Sequence, residues 1–177
     1  MGTLSVVLGA TACIAAVMTD VIWRRIPNWI TLPLMLLAPA AAAFQFGFRS
    51  ALVSGAMVIA FVAIGVGIHS AGLLGGGDVK LLAGVAALCG LPSCVDFVLY
   101  TSIAGGLLAL LFALYRRELK PVLTGLHRRI GASLVTGRLQ TEIAGASGAR
   151  MPYALAIGSG FALTAAANAL PFLRILH

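Results

Sequence analysis

The chain has 177 residues, of which 60% are hydrophobic and only 10% are charged. A soluble globular domain carries about a quarter charged residues, and a mean hydropathy of +1.05 also excludes that class. Apolar stretches of about 20 residues are long enough to cross a bilayer as helices. The composition therefore predicts an all-α, polytopic membrane protein.

Six transmembrane helices are predicted in chain order, within a single membrane-embedded domain that covers residues 1–177. The first is expected to stay in the mature protein, because no Lys or Arg precedes its apolar stretch, as a cleavable signal would require. Proline disfavours helix at Ile26, so a turn should follow, and Asn28 can cap the second helix. The predicted spans are about 4–20, 29–48, 51–68, 78–90, 95–115 and 153–173.

Short turns are predicted between the middle spans. Residues 49–50 are expected to link the second and third helices, and residues 91–93 to separate the fourth from the fifth. The glycines at 75–77 are expected to interrupt the helix ahead of the fourth span. At membrane depth, such an interruption is tolerated where the backbone lines a wet cavity.

Residues 116–150 are the only long polar stretch and are predicted to lie between the fifth and sixth helices. They contain seven Lys or Arg and two Glu. In the first half, apolar residues recur near helical spacing with basic residues between them, a pattern typical of a helix on an anionic membrane surface. We therefore expect anionic lipids as partners of this loop, and no nucleic acid, because aromatic stacking residues are missing.

The distribution of basic residues predicts the orientation of the helices. If alternate loops face the same side, ten of the 12 Lys and Arg residues lie on one side, and only Arg49 and Arg174 lie on the other. The side with ten should be cytoplasmic, which places the N-terminus outside and the basic loop inside. Asp20 and Asp78 then both lie at the cytoplasmic face, and Asp96 lies roughly a bilayer thickness away.

The sequence gives no reason to expect a metal or a cofactor. Cys13, Cys89 and Cys94 form no C-x-x-C pair, and the acids and histidines form no zinc-like cluster. Cys89 and Cys94 flank a predicted turn. Two ordinary thiols are the interpretation that we favour, with a disulfide across the turn as the alternative.

Asp20 and Asp78 are two of only five acidic residues, and both lie at the edges of apolar segments. A carboxylate beside hydrocarbon is costly, so an acid at such a position is a functional candidate. Two carboxylates within hydrogen-bond reach would share one proton. The ionised member could then take a proton from water while the protonated member polarises a peptide carbonyl, which hydrolyses a peptide without metal, cofactor or nucleophilic side chain.

Three glycines that precede Asp78 are candidates for a supporting role: Gly75, Gly76 and Gly77. Because they lack side chains, they can let an extended peptide approach the acid. A plain glycine turn before a helix that Asp78 caps is the alternative. For Asp20, the alternative to catalysis is a surface ion pair with Arg24, four residues on.

Four further polar or turn residues lie close in sequence to these acids or at a helix end on the same side. Lys80 could bias the protonation of the pair, although a lysine that reaches lipid phosphates is the simpler interpretation. Pro27 and Asn28 are expected to shape the turn that holds Asp20. His69 could touch the site from the end of the third span, with an interfacial polar residue as the simpler interpretation.

Three sequence elements resemble the type IV prepilin peptidase family of membrane aspartic proteases. The first is an acid that ends the first helix ahead of an Arg-Ile-Pro-Asn turn, here residues 20–28. The second is Gly-x-Gly-Asp followed by a lysine, here residues 75–80. The third is a Pro-Tyr pair that opens the last span, here residues 152–153. The first two elements in this order make the resemblance specific, and it covers essentially the full chain.

The resemblance implies that Asp20 and Asp78 are the catalytic pair of an endopeptidase. Such enzymes remove the short, positively charged leader of prepilins or pseudopilins at the cytoplasmic side of the inner membrane. Larger members also N-methylate the product and carry paired C-x-x-C zinc ligands, which this chain lacks. Peptidase activity alone is therefore expected, as in the compact enzymes of tight-adherence (Flp-type) pilus systems, with archaeal preflagellin peptidases as alternative relatives.

Two other classes of function compete with a peptidase. A small proton-coupled transporter could use the two acids as a relay, although relays usually lie near mid-membrane between internal repeats, and no repeat is evident here. A non-enzymatic assembly factor of a pilus or secretion system could use the acids to bind partners. The distance between Asp20 and Asp78 decides whether the peptidase chemistry is available.

Overall fold

The computed structural model describes residues 1–71, 74–115 and 153–169. The regular structure in these ranges is entirely helical and comprises α1 (Thr3–Trp23), α2 (Asn28–Phe46), α3 (Phe48–Ser70), α4 (Gly76–Tyr115) and α5 (Ala154–Ala169). The first three helices and the Ser93–Phe112 part of α4 are each long and apolar enough to cross a membrane, and α5 is a shorter apolar helix. The prediction of an all-α membrane protein is confirmed.

Two of the predictions fall on parts of the chain outside the described residues. They are the amphipathic surface helix in the loop at 116–150 and the end of the sixth span at 170–173.

The link between α1 and α2 is a tight turn. Arg24 takes a left-handed conformation, with φ 51° and ψ 34°, and its backbone N–H donates to the carbonyl oxygen of Asp20. The prediction that Asn28 caps α2 is wrong. Pro27, in an extended conformation, takes the N-cap position, and the Asn28 side chain instead accepts a hydrogen bond from Lys80.

Single glycines make two further changes of direction. Gly47, with φ 86°, joins α2 directly to α3, so the predicted turn at residues 49–50 is wrong, and both residues are helical. Gly90, with φ 74° and ψ 165°, is the non-helical residue inside α4, and it replaces the turn predicted at residues 91–93. Glycine adopts a positive φ without a Cβ penalty, so neither bend needs a loop.

The part of α4 before its kink, residues 76–89, lies at the centre of the bundle. Helix α4 packs against all four of the other described helices, and Leu81 and Val85 have no exposed surface. A Cβ atom on Gly84 would lie 2.9 Å from the Leu34 side chain, so the missing side chain permits this close approach of helices. The packing fixes the start of α4, and with it Asp78, relative to α1 and α2.

Large apolar side chains cover much of the outer surface of the bundle. More than half of the side-chain surface is exposed at Ile14, Leu36, Phe44 and Ile59. Apolar patches of this extent are rare on soluble monomers, and they are what a surface in contact with lipid tails requires.

Candidate active site

Three helix ends meet at one end of the bundle and line an open cavity of about 670 Å³. They are the last turn of α1, the first turn of α4 and the residue that precedes α5. Asp20, Asp78 and Tyr153, one from each of these elements, line the cavity. The structure therefore brings the two predicted acids to a single cavity, although they come from helices that are distant in the sequence.

Asp20 lies in the last turn of α1 and is only 6% exposed. Its Oδ2 atom accepts a hydrogen bond of 3.1 Å from the backbone N–H of Ala154, the first residue of α5. The unpaired N–H groups and the dipole at a helix N-terminus favour a negative charge. Asp20 thus caps a helix that begins more than a hundred residues later in the chain.

The alternative interpretation of Asp20, an ion pair with Arg24, has no support in the described part of the chain. The hydrogen bond between these two residues runs from the Arg24 backbone N–H to the Asp20 carbonyl oxygen, with a length of 2.8 Å. The Asp20 carboxylate instead faces the cavity and the start of α5.

Asp78 is half-buried in the first turn of α4. Its Oδ2 atom accepts a hydrogen bond of 3.1 Å from the backbone N–H of Gly75, the backward reach typical of a capping box. A Cβ atom on Gly75 would lie 2.7 Å from the same oxygen, so glycine leaves room for the carboxylate. Each acid is therefore anchored through Oδ2 by a backbone N–H at the N-terminus of a helix.

The predicted interruption ahead of the fourth span is present at Gly75, whereas the other two glycines belong to the start of α4. Gly76 and Gly77 are already helical, and all three glycines line the cavity. A Cβ atom on Gly77 would lie 2.9 Å from the carbonyl oxygen of Ile26 and 3.0 Å from its Cβ atom. Gly77 is thus a point of close contact between α4 and the turn after α1, which keeps the two acid-bearing elements together.

The other predicted supporting residues lie beside the cavity without lining it. Lys80 donates a hydrogen bond of 2.9 Å from Nζ to the Oδ1 atom of Asn28, and Pro27 forms the N-cap of α2. None of these three residues is among those that line the cavity. The hydrogen bond between Lys80 and Asn28 instead joins the start of α4 to the start of α2.

Tyr153 lines the cavity, but sequence reasoning did not select it as a site residue. It precedes α5 and is half-buried. Its own burial, followed by the negative charge of Asp78, raises the pKa of its phenol. The ring lies close to Gly105, where a Cβ atom would be 3.3 Å from the phenol oxygen. The phenol therefore stays protonated near Asp78, and the Pro-Tyr pair at the start of the last span was the signal for it.

Positively charged and titratable side chains complete the wall. Arg24 and Arg25 are exposed and line the cavity, which gives its mouth a positive charge. Arg24 is the non-glycine residue with a positive φ in the described ranges, a conformation that costs about 1 kcal/mol. His69 also lines the cavity, and its Nδ1 atom lies 2.8 Å from the carbonyl oxygen of Leu74.

The described residues offer no group of three or more His, Cys, Asp or Glu that could hold a metal ion. Cys13, Cys89 and Cys94 are buried free thiols, and none of them lines this cavity. The functional groups at the site are carboxylates, a phenol, an imidazole, two guanidinium groups and backbone N–H groups.

One comparison with known proteins confirms the resemblance seen in the sequence, although over a shorter part of the chain than expected. No curated protein and no solved structure matches the chain. The family model described as the type IV leader peptidase family matches residues 7–110, more than half of the chain and the part that contains both Asp20 and Asp78. The chain therefore belongs to the type IV leader peptidase family.

Proposed function

We propose that the protein is a membrane aspartic endopeptidase that removes the leader peptide of type IV prepilins or pseudopilins, with Asp20 and Asp78 as its catalytic pair. The observation that carries this proposal is that the two acids, from two different helices, line one cavity. The cavity, at about 670 Å³, also falls within the size range of ligand sites in proteins.

The chemistry uses one proton shared by the pair. The ionised carboxylate removes a proton from a water molecule, and the water oxygen bonds to the carbonyl carbon of the scissile peptide. The protonated carboxyl donates its proton to the carbonyl oxygen as the tetrahedral intermediate forms. The intermediate then returns that proton to the second carboxylate, the leaving nitrogen takes the first proton, and the C–N bond breaks. The pair ends the cycle with one proton again.

The anchoring of the acids supports this mechanism. Backbone N–H groups of Ala154 and Gly75 hold the Oδ2 atoms of Asp20 and Asp78. Such donors belong to helix starts and need no side-chain rotation at the moment of reaction, which is the kind of preorganisation that lowers a barrier. Tyr153, protonated and near Asp78, is proposed as a residue that positions this carboxylate.

The proposed place of reaction is the cytoplasmic face of the inner membrane. Arg24 and Arg25 line the cavity, and they belong to the ten basic residues that the positive-inside rule assigns to the cytoplasm. The N-terminus would then lie outside. We further propose that residues 1–177 form a single peptidase domain without methyltransferase activity, similar to the compact enzymes of Flp-type pilus systems.

Leader removal tests the proposal directly. The protein is co-expressed with a candidate prepilin, and the mass of the pilin in the membrane fraction is measured. Asp20→Asn and Asp78→Asn should each abolish the loss of the leader while the variant protein still accumulates in the membrane. Asp96→Asn is the matched control, because Asp96 lines a different cavity, and it should process the prepilin normally.

Two results would count against the proposal. Complete processing by either single variant would exclude the paired-acid mechanism. Partial and unequal losses in the two variants would favour the assembly factor, in which the acids only bind partners.

A further inference from the structure

A second cavity, of about 680 Å³, lies at the other end of the bundle. It is lined from the N-terminal end of α1 by Ser5, from the C-terminal end of α5 by Asn168, and from the kink of α4 by Gly90. These helix ends are opposite to those that carry Asp20 and Tyr153. The two cavities share no lining residue, so the second one has no part in the proposed peptidase site.

Asp96 is the unexplained group in this cavity. It lines the wall but is only 4% exposed, and its Oδ1 atom has no hydrogen-bond partner among the described residues. A carboxylate withdrawn from water needs a cation or a hydrogen-bond donor to offset its lost hydration. The cavity that Asp96 lines has room for a ligand that supplies one.

Arg49 contributes the opposite charge to the same cavity. It lies in the first turn of α3 and is exposed, and within the described ranges it forms no ion pair with an acid. A guanidinium group offers a planar set of N–H donors that matches a phosphate. The cavity thus has a carboxylate in its wall and a guanidinium at its rim, which fits a zwitterion with its positive end inward.

Exposed apolar side chains also line the cavity. Phe46 is 59% exposed, Leu91 is 60% exposed and Val53 is 39% exposed. A small water-soluble zwitterion would leave these surfaces uncovered, whereas acyl chains attached to the zwitterion would cover them. The lining therefore matches a molecule with both a zwitterionic head and an apolar tail.

We propose that this cavity binds the headgroup of an ethanolamine phospholipid. The primary ammonium donates a hydrogen bond to Asp96, the phosphate lies at Arg49, and the acyl chains run along Phe46, Val53 and Leu91. A primary ammonium has three N–H donors. A choline headgroup has none on its nitrogen, and a glycerol headgroup carries no positive charge, so the site selects for ethanolamine over both.

Native mass spectrometry of the full chain tests the proposal. The protein is incubated with equal amounts of phosphatidylethanolamine, phosphatidylcholine and phosphatidylglycerol of the same acyl composition, and retained lipids are counted. The wild type should retain the ethanolamine lipid about tenfold better than either competitor, since a hydrogen bond to a charged group is worth about this much. Equal retention of the three lipids would overturn the proposal without any variant.

Two variants separate the two contacts. Asp96→Leu, which removes both the charge and the hydrogen-bond acceptor, should lose the preference for ethanolamine over choline, and its leader removal, which uses the other cavity, shows that it is folded. Arg49→Gln should weaken retention of all three lipids but keep their order of preference. Arg25 lies outside this cavity, so Arg25→Gln should change neither the amount of lipid retained nor the order of preference. A preference for ethanolamine that survives Asp96→Leu would contradict the assignment.

Free phosphoethanolamine separates a lipid from a soluble ligand of the same chemistry. At concentrations that match the lipid it should not displace the retained phospholipid, because it lacks the acyl chains. Displacement would assign the cavity to a soluble zwitterion and would contradict the proposal that its ligand is a phospholipid.

Discussion

The two cavities at opposite ends of the bundle are nearly equal in volume, about 670 and about 680 Å³. Each has a buried aspartate in its wall, Asp20 with 6% and Asp96 with 4% of its surface exposed. Arginines line both cavities, so the difference is the second acid, because Asp20 shares its cavity with Asp78 whereas Asp96 is the acid that lines the other cavity, beside Arg49. A buried acid near a membrane is a candidate functional residue. The charged group beside it determines whether the site transfers protons or binds an ion.

The largest expected effect comes from breaking the acid pair. Asp20→Asn and Asp78→Asn should each lower kcat/KM for leader cleavage by about 10²–10⁴-fold. The double variant should be no slower than the slower single variant, because a pair that works as a unit is lost with either member. Rates of leader release from purified prepilin, followed by mass spectrometry, give these values.

The second cavity supplies the control for this experiment. Adding Asp96→Asn to Asp20→Asn should leave the rate of the single variant unchanged. If the losses of Asp20→Asn and Asp78→Asn instead multiply in the double variant, the two acids act independently. The first cavity would then contain no catalytic pair.

Gly77→Ala should have the next largest effect. The new Cβ atom would meet the backbone of Ile26 at 2.9 Å, so the turn after α1 must move away from α4 and carry Asp20 with it. We expect a loss of about 1–3 kcal/mol of stability and, for a shift of about 1 Å, a fall of up to about 10²-fold in kcat. Thermal unfolding in detergent and leader release measure the two effects.

Gly55→Ala is the matched control, because a Cβ atom at this position in α3 would meet nothing within 4 Å. It should be neutral or stabilising by up to about 1 kcal/mol, the helix propensity of alanine over glycine. Similar losses in both variants would mean that the contact between Gly77 and Ile26 is not what holds the acids together.

Tyr153→Phe should have a smaller effect. It keeps the ring near Gly105 but removes the O–H group near Asp78. We expect a loss of about threefold to tenfold in kcat/KM, the worth of one hydrogen bond. The acidic limb of the pH–rate profile should also move to higher pH, because in our proposal the lost O–H group donates to the ionised carboxylate of Asp78. An unchanged profile would show that Tyr153 serves only in packing.

Lys80→Met should have the smallest effect on cleavage. The hydrogen bond between Lys80 and Asn28 is exposed, so it should contribute about 1 kcal/mol or less to stability. Asn28→Ala should cost a similar amount, and the double variant should cost no more than either single change. A loss comparable to that of Asp78→Asn would mean that Lys80 takes part in the chemistry.

The two acids could be selected from the sequence because their signal is local. Charged residues are scarce in this chain, so Asp20 and Asp78 stand out against apolar neighbours, and each begins or ends a helix that hydropathy defines. The contact between their helices is a long-range property, and it arises from side-chain packing such as that of Ile26 on Gly77. Periodicity along the chain carries no information on it.

Apart from the Tyr153 side chain, most of the missed features are backbone features. Gly47 and Gly90 bend the chain with positive φ, whereas Gly84 serves in packing, and in a chain with 21 glycines the residue type alone does not separate these roles. The donor to Asp20 is the backbone N–H of Ala154, and a backbone donor cannot be identified from the residue type. The assignment of the cap to Asn28 failed because Lys80, distant in sequence, binds its side chain.

Cross-linking tests most directly whether Asp20 and Asp78 share one site. Asp20→Cys and Asp78→Cys are combined in a chain whose native cysteines, Cys13, Cys89 and Cys94, are replaced by alanine, and membranes are treated with a short bifunctional thiol reagent. This pair should cross-link within the chain, whereas Asp20→Cys combined with Asp96→Cys should not. If each single thiol reacts with a small reagent but the first pair fails to cross-link, the account of a shared catalytic site is contradicted.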